Sequence, residues 1–481
     1  MYTHRKQQDI NKRLTKCSAK ARNSGIVMAL FLTLLPAGCR IPEPQSPQES
    51  LTAALADHTT IPINWSDASA DSTPVAGWLQ GFEDPGLDAY VDQVIRHNLT
   101  LRALINRVEA SAAAARKAGA PLLPSIAVSG TGRTIDTYND SNLKTNTAEV
   151  SAGISWELDI WGRLRAQRNA AMASYRAIEA DLTYARLSLA AQASKLWFQA
   201  TETYQKRVYA EAIVALQEST LAIAQAKYEE GELTKKEVYL SSSDLNNAKD
   251  RLYNAEIAYT QTIRALEILA GKYPVTNHAF SQTFALVPEQ VPVGLPSELI
   301  ERRPDLIAAA RRVDAAFESV TQAKAARLPS ISLTAASGYS SSDLFDLLGA
   351  DGVFWSVAAN FLAPLYTGGA LKEQVKIKTA EQQAALIEFG QAALVAFSEV
   401  ENALTADALL AKREEQLNRA WENNDAALKI AMIQFEEGKL DLLSVLQMQD
   451  RVIAARIAQI SIRSQRLAKR VDLHLALGGS F

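Results

Sequence analysis

From Thr147 the chain alternates: Ala148, Val150, Ala152, Ile154, Trp156, Leu158 and Ile160 are apolar, whereas Thr147, Glu149, Ser151, Ser155, Glu157 and Asp159 between them are polar. A period of two is that of a strand with one oily and one wet face. Val353, Trp355, Val357, Ala359 and Phe361 repeat the alternation less cleanly. Each stretch follows a partner, from Ser125 and from Ser330, across a loop rich in Ser, Asp, Asn and Gly. The pattern therefore predicts two hairpins, with strands over about 125–134 and 147–160, then about 330–339 and 353–363.

After each hairpin the period changes. Residues 162–230 and 368–437 contain no proline and almost no glycine, and are rich in Ala, Leu, Gln, Glu and Arg, all strong helix formers. Each predicts a single helix of roughly 100 Å at 1.5 Å per residue. Gly231 and Gly438 then turn the chain into return helices over about 232–270 and 439–477, which stop at Gly271 and Gly478 as helices stop at a C-terminal glycine. Between the two halves, residues 272–296 carry Pro274, Pro288, Pro292, Gly294 and Pro296 and read as a connector.

The halves are copies. Leu123-Pro124-Ser125-Ile126 recurs as Leu328-Pro329-Ser330-Ile331, an offset of 205, and Tyr228-Glu229-Glu230-Gly231-Glu232-Leu233 recurs as Phe435-Glu436-Glu437-Gly438-Lys439-Leu440, an offset of 207. The drift falls at the strand-to-helix corner, where Thr367 is inserted relative to Trp161-Gly162. The division that follows is one repeat over 85–271 and a second over 297–481.

Four strands per chain cannot close a barrel, and an open sheet edge is not tolerated in hydrocarbon. A helix of about 100 Å cannot fold back into an ordinary globule, and its alanine-rich surface suits a wall of packed helices. Both facts require the chain to oligomerise. On strand alternation Glu149, Glu157 and Asp159 are candidates for the lumen, with pairing to arginines at the rim as the plainer alternative. Trp156, Trp161, Trp355 and Tyr366, near the strand ends, are candidates for the aromatic girdles of a membrane barrel.

The first 24 residues hold seven of the chain's 50 Lys and Arg, and an apolar run from Ile26 to Ala37 follows. That run is too short to span a bilayer and reads as a secretory signal over 1–38. It ends in Leu34-Leu35-Pro36-Ala37-Gly38-Cys39, which resembles the lipobox of bacterial lipoproteins apart from Pro36. The resemblance implies a covalent lipid on Cys39, a diacylglycerol and an N-acyl chain, and a lipid-anchored extended tether over 39–84. Cys17, the only other cysteine, lies within the signal, so no disulfide is expected afterwards. With so many basic residues in the leader, the remainder is distinctly acidic, which argues against nucleic acid as a partner. The five histidines are scattered without metal-ligand spacing, and no phosphate loop or nucleophile elbow is present, so neither an enzyme nor a metal or other cofactor is expected. A coiled-coil lipoprotein without a channel would explain the helices but not the strand pairs.

Glu301-Arg302-Arg303-Pro304-Asp305-Leu306, the two Leu-Pro-Ser-Ile segments, Trp156 to Arg163, Pro364 to Gly369 and the paired Glu-Glu-Gly turns occur in the order found in TolC-like outer-membrane efflux proteins. From about Pro85 onward the chain resembles that family, and specifically the lipid-anchored channels of resistance-nodulation-division pumps. It departs at Ala309 or Ala310, where a Glu is usual, and at Ala370, where an Arg is common. The resemblance implies a mixed α and β membrane protein: a homotrimer with a 12-stranded barrel in the outer membrane of a Gram-negative bacterium, continuing into a periplasmic α-helical barrel. It implies an export duct for drugs, toxic compounds or metal ions, working with a periplasmic adaptor (membrane fusion) protein and an inner-membrane pump. Service to a type I protein secretion system is the alternative. Tyr228, Gly231, Phe435, Gly438 and Asp441 would then lie at the gated, adaptor-docking tip, with Asp441 in an acidic ring or, more simply, as an acid in the first turn of the following helix.

Overall fold

The computed structural model describes residues 44–55, 61–62, 65, 77–137, 143–288, 294, 296–342 and 352–479. Cys39 and the predicted signal lie outside them. The elements in chain order are α1 (Pro47–Leu55), α2 (Pro85–His97), α3 (Leu99–Gly119), β1 (Ser125–Thr137), β2 (Leu143–Leu158), α4 (Arg163–Glu229), α5 (Lys235–Leu269), α6 (Leu299–Arg302), α7 (Pro304–Ala325), β3 (Ser330–Ser341), β4 (Val353–Leu362), α8 (Ala370–Glu436) and α9 (Leu442–Ala476). Among the described residues no helix is long and apolar enough to cross a membrane.

The duplication is structural as well as sequential. Helices α4 and α8 each have 67 residues, and α5 and α9 each have 35. The helix before each hairpin is broken once, at Asn98 in the first copy and at Arg303 in the second. In the first copy Asp84 starts α2, its carboxylate accepting from the backbone N–H groups of Gly86 and Leu87.

The four strands form one antiparallel sheet in the order β1-β2-β3-β4. β2 pairs with β3 across the two copies, Trp156 opposite Leu333 and Val150 opposite Tyr339. β1 and β4 are left as unpaired edges among the described residues. β1, β2 and β3 are longer at the hairpin ends than the alternation predicts, because backbone pairing continues through polar positions such as Asp136 opposite Lys144.

Four apolar clusters hold the helices among the described residues, the smallest of them Ile213, Ala248 and Ile453 between α4, α5 and α9. One, at mid-height, surrounds Phe82, Leu87, Tyr90, Trp197 and Phe198 and takes in Phe280 and Phe284 of the connector. The second joins Leu306, Val313, Phe389 and Val400 of the second copy. The third lies at the far end of the long helices, around Phe435, Leu442 and Val445.

The expectation of an extended tether over 39–84 requires a correction. Residues Pro47–Leu55 form a helix that packs on α8: Leu51 is buried, and Trp65 stacks obliquely near Phe397 and donates its Nε1–H to the Gly294 carbonyl at 3.1 Å. Gly390, a rare glycine inside a long helix, explains the contact, since a Cβ there would stand 2.8 Å from the Ala54 Cβ. The absence of a side chain is what lets α1 sit down on the wall.

Candidate functional site

The sheet has two chemically distinct faces. Ile126, Val128, Ile154, Val357 and Phe361 are exposed on one. Cross-strand pairing places Ser129, Ser151, Glu149 and Ser340 together on the other, with Ser129 Oγ 3.2 Å from Ser151 Oγ. An exposed oily face backed by a face of small polar groups suits a wall with lipid on one side and water on the other.

The expected aromatics divide by position. Trp156 and Trp161 sit at the helical end of β2 and anchor by their indole N–H groups, Trp156 to the Leu122 carbonyl at 3.0 Å and Trp161 to the Pro329 carbonyl at 2.7 Å. Trp161 thus ties the first copy to the second. Tyr366 and Trp355 stand free in this chain, 91% and 78% exposed. Trp355 lies opposite Ser337, toward the hairpin end.

The three acids also differ. Glu149 lies on the wet face between Thr131 and Ser340. Glu157 accepts from Arg163 Nη2 at 2.8 and 2.9 Å, a charge-assisted pair across the corner from β2 to α4. Asp159 accepts from the backbone N–H groups of Leu164 and Arg165 and from Arg165 Nε, all within 3.0 Å. It satisfies orphan donors at the start of α4, a place where Gly162 has no side chain to do so.

At the opposite end, each long helix turns through a glycine with positive φ, Gly231 at 81° and Gly438 at 71°. The backbone bonds from Glu232 to Lys227 and from Lys439 to Gln434 close the turns in the Schellman manner. The copies then diverge. Phe435 is 3% exposed inside the tip cluster, whereas Tyr228, its counterpart, is 43% exposed. Lys227 leans its ammonium over the Phe435 ring at 5.5 Å and pairs with Glu232 at 2.8 Å.

Asp441 is the N-cap of α9. Its carboxylate accepts from the Ser444 backbone N–H and from the Ser444 hydroxyl, each at 2.8 Å, and these bonds hold its pKa below the ordinary carboxylate value. The matching residue in the first copy is Thr234, in a capping box with Glu237. The tip therefore carries one neutral and one acidic cap per chain. Behind it, Gln217 donates to Gln449, which donates to Thr220, both at 3.0 Å, in a buried polar ladder between α4 and α9.

The comparisons with known proteins bear on this geometry. The family described as outer membrane efflux protein matches residues 90–272 and 295–479, which are the two copies. The chain belongs to the outer membrane efflux protein family. Among relatives, it is 26% identical to the pyoverdine export outer membrane protein OpmQ of Pseudomonas putida, over 87% of this chain and 92% of that protein. It is 27% identical to outer membrane protein OprJ of Pseudomonas aeruginosa, over 95% and 96%. The crystal structure of the Campylobacter jejuni CmeC outer membrane channel superposes with a TM-score of 0.82 at 23% identity, covering 89% of this chain and 95% of that one. The protein is thus an outer-membrane efflux channel, of a family of channels rather than of enzymes.

In an efflux channel built this way, Arg303 is the residue whose part the sequence reading missed. It stands in the Arg-Arg-Pro-Asp motif, yet its work appears only in three dimensions. Its side chain is 2% exposed, forks onto Asp305 at 3.0 and 2.7 Å, reaches Glu399 on α8 at 2.6 Å and donates to the Ala476 carbonyl at the end of α9. Burial works against its charge, but the two carboxylates outweigh burial and raise its pKa. One buried guanidinium locks three helices.

Proposed function

We propose that the chain is the outer-membrane duct of a tripartite pump, passing small molecules such as drugs, toxic compounds or metal ions out of the cell as a homotrimer. The observation that carries this is the four-stranded sheet with two unpaired edges and an exposed oily face, set on helices of 67 residues. Edges without partners do not persist in hydrocarbon, and three chains give the 12 strands of a closed barrel. The helices then hang into the periplasm for about 100 Å, so the Gly231 and Gly438 turns form the inner tip. There a periplasmic adaptor protein docks, and Asp441 contributes to an anionic constriction that opens when an inner-membrane pump engages. A lipid on Cys39 supplements the anchorage that the barrel provides.

The relatives support the exporting role: OpmQ is described as a pyoverdine export protein, and TtgF of Pseudomonas putida as part of a toluene efflux pump. The test is conductance across planar bilayers by the purified full-length protein. Discrete channel events are expected, and a protein that inserts yet passes no current sinks the proposal.

A further inference from the structure

A hollow lies beside the Arg303 lock. Where α9 ends, a cavity of about 310 Å³ opens between α4, α8 and α9, and its lining includes Tyr184, Glu399, Asn402, Lys469, Asp472 and Leu475. We propose that this cavity is a way-station in the duct wall for a zwitterionic small molecule, whose ammonium is taken by Glu399 and whose carboxylate is taken by Lys469. The inference rests on the duct reading above and deepens it, because it names the class of solute that the wall holds.

Helix phase shows which way the cavity opens. On α9, Leu467 and Val471 pack into the cluster of Phe82, Tyr90 and the connector's Phe280. At about 3.6 residues per turn, Lys469 stands on the opposite side of that helix, with Asp472 next to it. On α8, the stripe of Phe389, Ala393 and Val400 packs with Leu51 of α1 and Leu306 of α7, and Glu399 and Asn402 are turned away from it. The bulk of α1, α2 and the connector therefore lies on one face of the helical wall and the cavity on the other. A tube with that bulk inside would be shut, so the cavity faces the lumen.

The charges around it are balanced. Arg303 pairs with Asp305 and Glu399, and Lys195 and Lys469 both pair with Asp472, at 2.8 and 2.9 Å. A simple cation or a simple anion meets as much repulsion as attraction there, whereas a molecule carrying both signs is attracted at both ends. Two groups have capacity left for it. Glu399 commits Oε2 to Arg303 at 2.6 Å, and no described residue bonds its Oε1. Lys469 is 48% exposed and gives one of its three ammonium protons to Asp472. In the same lining Leu475 offers apolar surface, and the Tyr184 ring offers a face that also favours an ammonium.

The joint does not need these charges. The counterparts of Glu399, Lys469 and Asp472, 207 residues back, are Gln192, Thr262 and Ala265, none of them ionised, and Asn98 stands 205 residues before Arg303. The first copy thus closes the same helix break with neutral groups at these positions. The station belongs to the second copy alone, so a trimer carries three.

The test uses the full-length chain purified as the trimer, with L-tryptophan as the zwitterionic probe, its methyl ester as the cation and its N-acetyl derivative as the anion. Titrations followed by saturation-transfer NMR are expected to show L-tryptophan bound, and each single-charge analogue bound roughly tenfold more weakly, the loss of one charge-assisted hydrogen bond in a partly wet site. Asn402→Trp, which fills the hollow and removes no charge, is expected to abolish binding. Lys469→Gln, at a half-exposed position, is expected to weaken it roughly tenfold and serves if the larger side chain prevents assembly. Analogues that bind as tightly as the zwitterion overturn the proposal, as does binding that both variants leave unchanged. Normal conductance with no binding overturns the station and leaves the duct intact, whereas a protein that neither conducts nor binds removes both.

Discussion

Arg303 Nη1 donates to the carbonyl oxygen of Ala476 at 3.2 Å, and 205 residues earlier Asn98 Nδ2 donates to the carbonyl oxygen of Leu269 at 3.0 Å. Both residues are N-caps where a helix breaks, and both close the end of a return helix. The same joint is made twice with different chemistry. Asn98 also caps its own helix through Oδ1, which accepts from the Leu101 N–H at 2.9 Å, whereas Arg303, though at the N-cap position, makes no capping bond with its side chain and serves two carboxylates.

Arg303→Ala is therefore expected to destabilise the chain more than Asn98→Ala does. Loss of the guanidinium leaves Asp305 and Glu399 facing each other without a cation and frees a helix-end carbonyl. The expected cost is about 3 kcal/mol, against about 1–2 kcal/mol for the amide and its cap. Thermal unfolding of the two purified variants checks the order, and equal losses count against the lock described for Arg303.

At the tip, Asp441 has two separable roles. Asn retains the N-cap bond without the charge, and Ala removes both. If the anionic constriction sets the closed state, Asp441→Asn and Asp441→Ala raise resting conductance alike. Should only Ala do so, the residue acts through the helix start. Wild-type conductance in both variants removes Asp441 from the gate.

His474 supplies a pH dependence. Its ring stacks on Trp78 at 5.3 Å and 15°, its Nε2 is buried without a partner, and burial, with help from Arg470, pushes its pKa down to about 4. The unfolded chain takes up this proton near pH 6.5, so between there and about pH 4 it binds more protons than the folded one. The stability contributed by keeping the ring neutral is present above pH 6.5 and is lost as pH falls through that window, by about 3 kcal/mol. His474→Gln should flatten that part of the stability profile, and an unchanged slope would refute the assignment.

Much of this was legible in the order of residues. The alternation from Thr147 and the proline-free runs locate the hairpins and the long helices because each face or length has a single physical reading. Gly231, Gly438 and the doubled Leu-Pro-Ser-Ile segments mark the turns and the copies. What could not be read was which copy of a matched pair is buried. Tyr228 and Phe435 look alike in sequence, and only the packing of Phe435 against Leu442 and Val445 separates them. Helix α1 was hidden for a related reason, since it packs on α8, where Ala54 meets Gly390 336 residues away.

That glycine has a consequence for length. From Gly390 to the first turn of α8, just below the sheet, is roughly 30 Å of helix. Helix α1 rises about 13 Å, and the eight steps from Pro47 back to Cys39 reach at most about 28 Å. With a lipid on Cys39, as proposed, and α1 directed toward the sheet, the leader spans that height with about 10 Å, roughly three extended residues, to spare. It works as a ruler: a deletion of more than about three residues before Pro47 would force a choice between the acyl chains in the membrane and Ala54 on Gly390.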